Sequence, residues 1–323
     1  MTRRELGLLL AAPQALRAAA RPVMKLETPQ AVAAFDLLGG GLVDFHLAGK
    51  LNPLTWEQAG GELESRPRGH FLCLDRWGAP SAAELKNGMP FHGEAARVEW
   101  KTSGAGVMSA KLPMAGLFVE RTAKLDGTTL TVREKLTNQN PLGRIYNMVQ
   151  HPTIAPPFLD AQTFVDSNAG QGFAQIAPQE APRPWPQGQK ADLRRLTNDP
   201  LPNVVSFVIE SEYGWVTACS PTAGLMVGYL WKTADYPWLN IWRDVKNGQP
   251  AARGLEFGTT GLHQPYPELV KRGSMLGRPL YSHLDAGESV ERSYQAFLKP
   301  LPPKVARVTA VRLMPGGIDV SFA

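Results

Sequence analysis

The chain has 323 residues, enough for one large domain or two of ordinary size. With 43% hydrophobic and 20% charged residues it has the balance of a protein that buries a core, which excludes a disordered or fibrous chain. Its formal charge of +5 comes without any run of lysine or arginine interleaved with aromatics, which speaks against a nucleic-acid partner.

At the N-terminus Arg3 and Arg4 precede an apolar run from Leu6 to Leu16, followed by Ala18, Ala19 and Ala20. A basic start, a short apolar stretch and small residues are the layout of an export signal, and the paired arginines resemble a twin-arginine signal. The run is too short to cross a hydrocarbon core of about 30 Å as a helix, so no integral membrane segment is expected in the mature chain. Residues 1–22 are therefore assigned to an export signal with a periplasmic or extracellular destination, and residues 23–323 to one domain. Removal through Ala20 takes away Arg3, Arg4 and Arg17 against Glu5, which lowers the formal charge from +5 to +3.

Ala31–Leu38 is a weak helix candidate. From Val98 onward the dominant pattern is period two: Leu117, Val119, Ala123 and Leu125 share one parity, Leu130, Val132 and Leu136 another, and Asp126-Gly127 lies between them. Alternation gives each strand one face to bury, and Asp-Gly suits the positive φ of a tight hairpin turn. The same pattern predicts strands over Asn203–Ser211, Gly214–Ser220, Gly224–Trp231 (edge or central) and Val290–Leu298, and a last pair within Val305–Phe322. Pro178–Pro202, rich in proline, glutamine and charge, reads as a long surface loop. Many short strands with turns between them point to an all-β sandwich or barrel. Cys73 and Cys219 show no zinc or redox spacing; one disulfide after export and two buried thiols both remain open.

Six histidines occur. His46, His70, His263 and His283 have no acid or second histidine at metal-ligand spacing and read as ordinary polar or core residues; no metal or cofactor is called for. His92 stands in Pro90-Phe91-His92-Gly93-Glu94, where glycine lets the backbone bend so that the imidazole can face a ligand, and Arg97 and Trp100 follow. His151 ends an apolar segment and is held extended by Pro152. Glu256 lies at the centre of an apolar strand, Gly254-Leu255-Glu256-Phe257-Gly258. A carboxylate there is either on a solvent face or buried in a cleft, where its raised pKa would suit proton transfer.

In order and spacing these segments resemble the galactose-mutarotase-like superfamily, the aldose 1-epimerases and their relatives. His92-Gly93 with Arg97 and Trp100 is similar to that family's histidine-glycine segment. Leu130 through Asn138, leading to His151-Pro152, is similar to its strand before the second histidine. Pro237-Trp238-Leu239-Asn240-Ile241-Trp242 followed by Leu255-Glu256 resembles the aromatic strand ahead of its catalytic glutamate, and Leu284-Asp285-Ala286-Gly287-Glu288-Ser289 the turn opening its last long strand.

The similarity covers most of residues 35–298. It implies a β-supersandwich, two large mostly antiparallel curved sheets, and an enzyme that interconverts sugar anomers by opening and reclosing the ring. In that reading Glu256 is the base and His151 the acid, while His92 and Arg97 hold sugar oxygens. Trp185, on its proline-flanked loop, and Trp242 offer aromatic faces, and Asp244 a further polar contact. The partner implied is a sugar or oligosaccharide, and the mechanism needs no cofactor. His92, His151 and Glu256 should then share a cleft, with carboxylate and imidazole about 5–7 Å apart, roughly a sugar ring. A carbohydrate-binding protein without turnover, or a lyase or hydrolase on the same scaffold, are the alternatives. Hydrolysis would want a second carboxylate across the cleft, for which Asp244 and Asp192 are the candidates.

Overall fold

The computed structural model describes residues 21–59, 66–188, 192–195 and 203–323. The export-signal assignment therefore falls almost wholly outside the described residues. Arg21 already belongs to the folded body: its guanidinium pairs with Asp36 at 2.8 Å, two residues ahead of the expected start of the domain.

Two antiparallel sheets make up the body, as the alternation predicts. In the larger the strands run in the order Val23–Glu27, Ala31–Asp36, Leu42–Leu47, His70–Asp75, Arg144–Ile154, Gln249–Gly258, Trp238–Lys246, Asn203–Val208, Gln171–Ala174 and Arg183–Pro184, with Ser282–Leu284 added on Arg144–Ile154. The smaller runs Phe164–Ser167, Tyr213–Ser220, Leu225–Lys232, Ser289–Pro300, Thr129–Asn138, Leu117–Asp126, Val107–Leu112 and Lys101–Gly104. The Asp126-Gly127 turn is where the alternation puts it, with Asp126 opposite Thr129 and Gly127 at φ 56°. Leu225–Lys232 has partners on both sides and is a central strand.

Ala31–Asp36 is a strand, not a helix. It is paired on both edges and almost wholly buried, and ladder bonds plus burial outweigh the few tenths of a kcal/mol by which alanine favours a helix.

Leu72, Leu74, Met148, Leu239, Leu255 and Phe257 of the larger sheet join Val119, Val132, Leu136, Tyr229, Ala296 and Leu298 of the smaller in one buried cluster. Between the sheets a polar group is also enclosed. Arg121 and Glu134 pair at 2.7 Å, Gln150 donates to Glu134 at 2.5 Å, and His70 Nε2 meets the Gln150 carbonyl at 3.1 Å. Buried polar atoms of this kind need partners, and here they tie the strand Arg144–Ile154 from its inner face.

Because side chains alternate, the residues between these core positions face the other way. Phe71, His151, Glu256 and Asn240 thus form one cross-strand row on the outer face of the larger sheet: Phe71 is paired with His151, Asn240 with Glu256, and Glu256 falls opposite His151 between the pairs Gly254–Thr153 and Phe257–Gln150. Cys73 and Cys219 are free, buried thiols on different sheets.

Candidate active site

Phe71, His151 and Glu256 of this row line a cavity of about 260 Å³, together with Trp56, Gln58, Trp77, Phe91, His92, Val204, Trp242 and His263. Strands supply Phe71, His151, Val204, Trp242 and Glu256. Loops at the strand ends supply the rest, and their shape is fixed by local chemistry. After the strand His70–Asp75 the buried Asp75 carboxylate receives Arg76 at 2.5 Å and also Arg144. Arg76 reaches on to Glu84 at 2.7 Å, in the short helix Ala82–Lys86 that Ser81 and Glu84 cap reciprocally.

The chain then returns through His92, at φ 67°, and Gly93, at φ 77°. A Cβ on Gly93 would lie 2.0 Å from the Leu74 carbonyl oxygen, so only glycine brings this turn against the strand. Gly78 is needed in the same way, since a Cβ there would meet the His263 ring at 2.9 Å. Glu94 carries no site function in this arrangement: its buried carboxylate accepts from the backbone of Met114 (3.1 Å) and Ala115 (2.8 Å).

His151 Nε2 and Glu256 Oε1 are 3.1 Å apart, on side chains 7% and 1% exposed. This is direct contact, closer than the ring-wide spacing expected from sequence. The other carboxyl oxygen, Oε2, accepts from Trp77 Nε1 at 2.7 Å. Burial pushes the Glu256 carboxyl well above the usual carboxylate range, with the Trp77 hydrogen bond opposing. Burial likewise pushes the His151 imidazole down to about 3. Both shifts favour the uncharged forms, in which the carboxyl donates a hydrogen bond to the imidazole.

Thr153 Oγ1 donates to the His151 carbonyl at 3.3 Å and lies 2.9 Å from Nδ1. With its hydrogen so committed, it accepts from Nδ1–H, which leaves Nε2 as the acceptor of the Glu256 proton. The His151 ring stacks on Phe71 with centroids 4.2 Å apart, which fixes its plane.

His92 lies across from the pair, its ring centroid 5.5 Å from that of His151. Its Nδ1 accepts from the Gly78 N–H at 3.0 Å, so the hydrogen is on Nε2, free to donate to a ligand. Burial, then the neighbouring His151, His263 and Arg97, hold it uncharged, well below the ordinary histidine range.

Of the residues expected from sequence, His92, His151, Trp242 and Glu256 share the cavity. Three others do not line it. Arg97 is outside the lining, and its charge is one of those that lower the His92 pKa. Trp185 packs edge-on against Phe207, centroids 5.3 Å apart, as cover for the core edge. Asp244 lies two residues past Trp242, where its strand bulges, and meets Lys246 at 3.6 Å. Asp192 is also outside, and Glu256 is the one carboxylate lining the cavity among the described residues.

His263, read from sequence as an ordinary polar residue, is in the wall instead. It lies 4.7 Å from the Trp77 ring and 5.6 Å from that of His92, and burial pushes its pKa down to about 4. Its sequence signal was proximity, since it follows Glu256 by seven residues across the small-residue run Gly258-Thr259-Thr260-Gly261. Trp77 had a comparable one, lying two residues past the end of an apolar strand and directly before glycine. Among the described residues no group of three or more His, Cys, Asp or Glu is arranged to hold a metal ion.

No protein-family profile matches the sequence, and no curated protein matches it. Solved structures do share its fold. A galactose mutarotase-like protein from Lactobacillus casei is 16% identical, with a TM-score of 0.61 over 86% of this chain and 100% of that one. A galactose mutarotase-like protein from Clostridium acetobutylicum is 14% identical, with a TM-score of 0.63 over 87% and 96%. A galactose mutarotase related enzyme from Lactobacillus acidophilus is 11% identical, with a TM-score of 0.64 over 87% and 99%.

Proposed function

We propose that this chain, which has the galactose mutarotase-like fold, binds a sugar and interconverts its anomers by acid/base opening and reclosing of the ring. One observation carries the reading: a buried carboxyl and imidazole, Glu256 and His151, lie 3.1 Å apart on the wall of a cavity the size of one sugar ring. Ring opening needs one group to take the anomeric hydroxyl proton while another protonates the ring oxygen, with no net exchange with solvent. A pair holding one proton between two sites supplies both groups.

With Glu256 as base and His151 as acid, the shared proton moves from Oε1 to Nε2 when sugar hydroxyls replace the contact between the two side chains. The Trp77 N–H favours this shift, because it stabilises carboxylate over carboxylic acid. His92 Nε2–H donates to a sugar oxygen, and the indoles of Trp56 and Trp242 offer apolar faces for the ring. Reclosure on the opposite face of the aldehyde returns both protons.

Anomer exchange measured by saturation-transfer NMR on a panel of aldoses tests this. Wild type should accelerate exchange, and Glu256→Gln should lose about 10²–10⁴-fold of that acceleration. Binding without any acceleration would instead assign the cavity to a carbohydrate-binding protein. Export is proposed on Arg3, Arg4 and the Leu6–Leu16 run, and fractionation of cells expressing the full chain tests it.

A further inference from the structure

The cavity is poor in the groups that hold a fully hydroxylated sugar. Each hydroxyl buried against a wall needs an acceptor for its hydrogen, and an indole N–H offers none. Outside the reacting pair, acceptors among the described lining side chains reduce to the Gln58 amide oxygen and a ring nitrogen of His263. His92 has its acceptor nitrogen occupied by the Gly78 N–H and can only donate. No Asp, Asn, Lys or Arg lines the cavity among the described residues, whereas Trp56, Phe71, Phe91, Val204 and Trp242 present hydrocarbon.

The volume of about 260 Å³ is that of roughly nine waters, enough for one hexose-sized ring and not for a chain of them. From this lining we infer that the substrate is an uncharged deoxy monosaccharide, a hexose with one or more non-reacting hydroxyls replaced by hydrogen, seated with its apolar edge against the aromatic wall. The inference rests on the epimerase reading of the same cavity and specifies its substrate class. A phosphorylated sugar would put a dianion where none of the described lining residues is a lysine or arginine. A fully hydroxylated hexose would bury hydroxyls without acceptors, a loss of about tenfold or more for each.

The test is anomer exchange at subsaturating sugar on matched pairs: D-galactose with 6-deoxy-D-galactose, and D-glucose with 6-deoxy-D-glucose and 2-deoxy-D-glucose. Glucose 6-phosphate is the charged member, and Glu256→Gln the blank. At least one deoxy sugar should exceed its parent by about tenfold or more per enzyme, with the 6-phosphate slowest. If every parent matches or exceeds its deoxy counterpart, or the 6-phosphate is fastest, this inference is overturned while the epimerase reading stands on the Glu256-dependent rates. No Glu256-dependent acceleration of any of these sugars removes both.

Discussion

Glu256 is held on both oxygens, by Trp77 and by His151, and each contact has its own consequence. The indole hydrogen bond lowers a carboxyl pKa that burial raises, so Trp77→Phe should raise it further. Activity requires one proton on the pair and declines as the pH rises through the value at which that proton is lost. The variant's alkaline limb should therefore move to higher pH, and kcat should fall by about tenfold, because the carboxylate form becomes harder to reach. A pH–rate profile checks this; an unmoved limb would make Trp77 merely a wall residue. His151, His92 and Glu256 were legible through the resemblance of their ordered segments to the galactose-mutarotase-like superfamily; singly, a histidine before proline, a histidine before glycine and a carboxylate in an apolar strand do not mark a site. Trp77 and His263 were not legible, because an indole or imidazole in a loop has no periodicity to break, and its use depends on which strand end the loop folds over.

At the scale of elements, period-two alternation located the hairpin at Asp126-Gly127, whereas the strands carrying His151 and Glu256 are buried on both faces around those residues and show none. It failed at Ala31–Asp36, where small apolar residues buried on both faces carry no alternation to read. The turn at His92-Gly93 is the element on which the site depends most. Gly93→Ala would force a Cβ into the Leu74 carbonyl at a left-handed φ, and should cost at least about 1–3 kcal/mol of stability and displace His92. Urea unfolding and sugar affinity measured together would register both effects. The loop aromatic Trp185 behaves in the opposite way. Its ring covers the core edge at Phe207, so Trp185→Ala should lower stability by about 2–3 kcal/mol and leave the rate of anomer exchange within about twofold of wild type. A large loss of activity with stability intact would return Trp185 to the site.

For the whole molecule, four imidazoles, two buried and two half-buried, set the response to acid. Burial lowers the pKa of His70, His92, His151 and His263, to about 4 for His263 and about 3 for His151. The unfolded chain takes up these protons near pH 6.5, before the folded one does. This stability is therefore present above about pH 6.5 and lost as the pH falls, each imidazole adding up to about 1.4 kcal/mol per pH unit to the slope. Asp36, Asp235 and Glu256, raised by burial, act with the opposite sign, their contribution being lost as the pH rises. Between pH 7 and pH 5 the unfolded chain's histidines take up protons, and the thermal midpoint should fall. A midpoint that is flat or rises on acidification would contradict a response governed by these imidazoles. The all-β class was legible in alternation and turns, and the two-sheet form in the family resemblance, since alternation alone suits a sandwich or a barrel. The distance between His151 and Glu256 was not, because it depends on the register of two strands a hundred residues apart in sequence.

The central claim is that these two side chains work as one proton-sharing unit, and a double-variant cycle reads it directly. Anomer exchange would be measured for His151→Gln, Glu256→Gln and the double variant on the best sugar of the panel. Each single variant should lose at least about 10²-fold, and the double should lose no more than either single within a factor of a few, since a unit once broken cannot be broken again. Losses that multiply, or a single variant that keeps the wild-type rate, would contradict it.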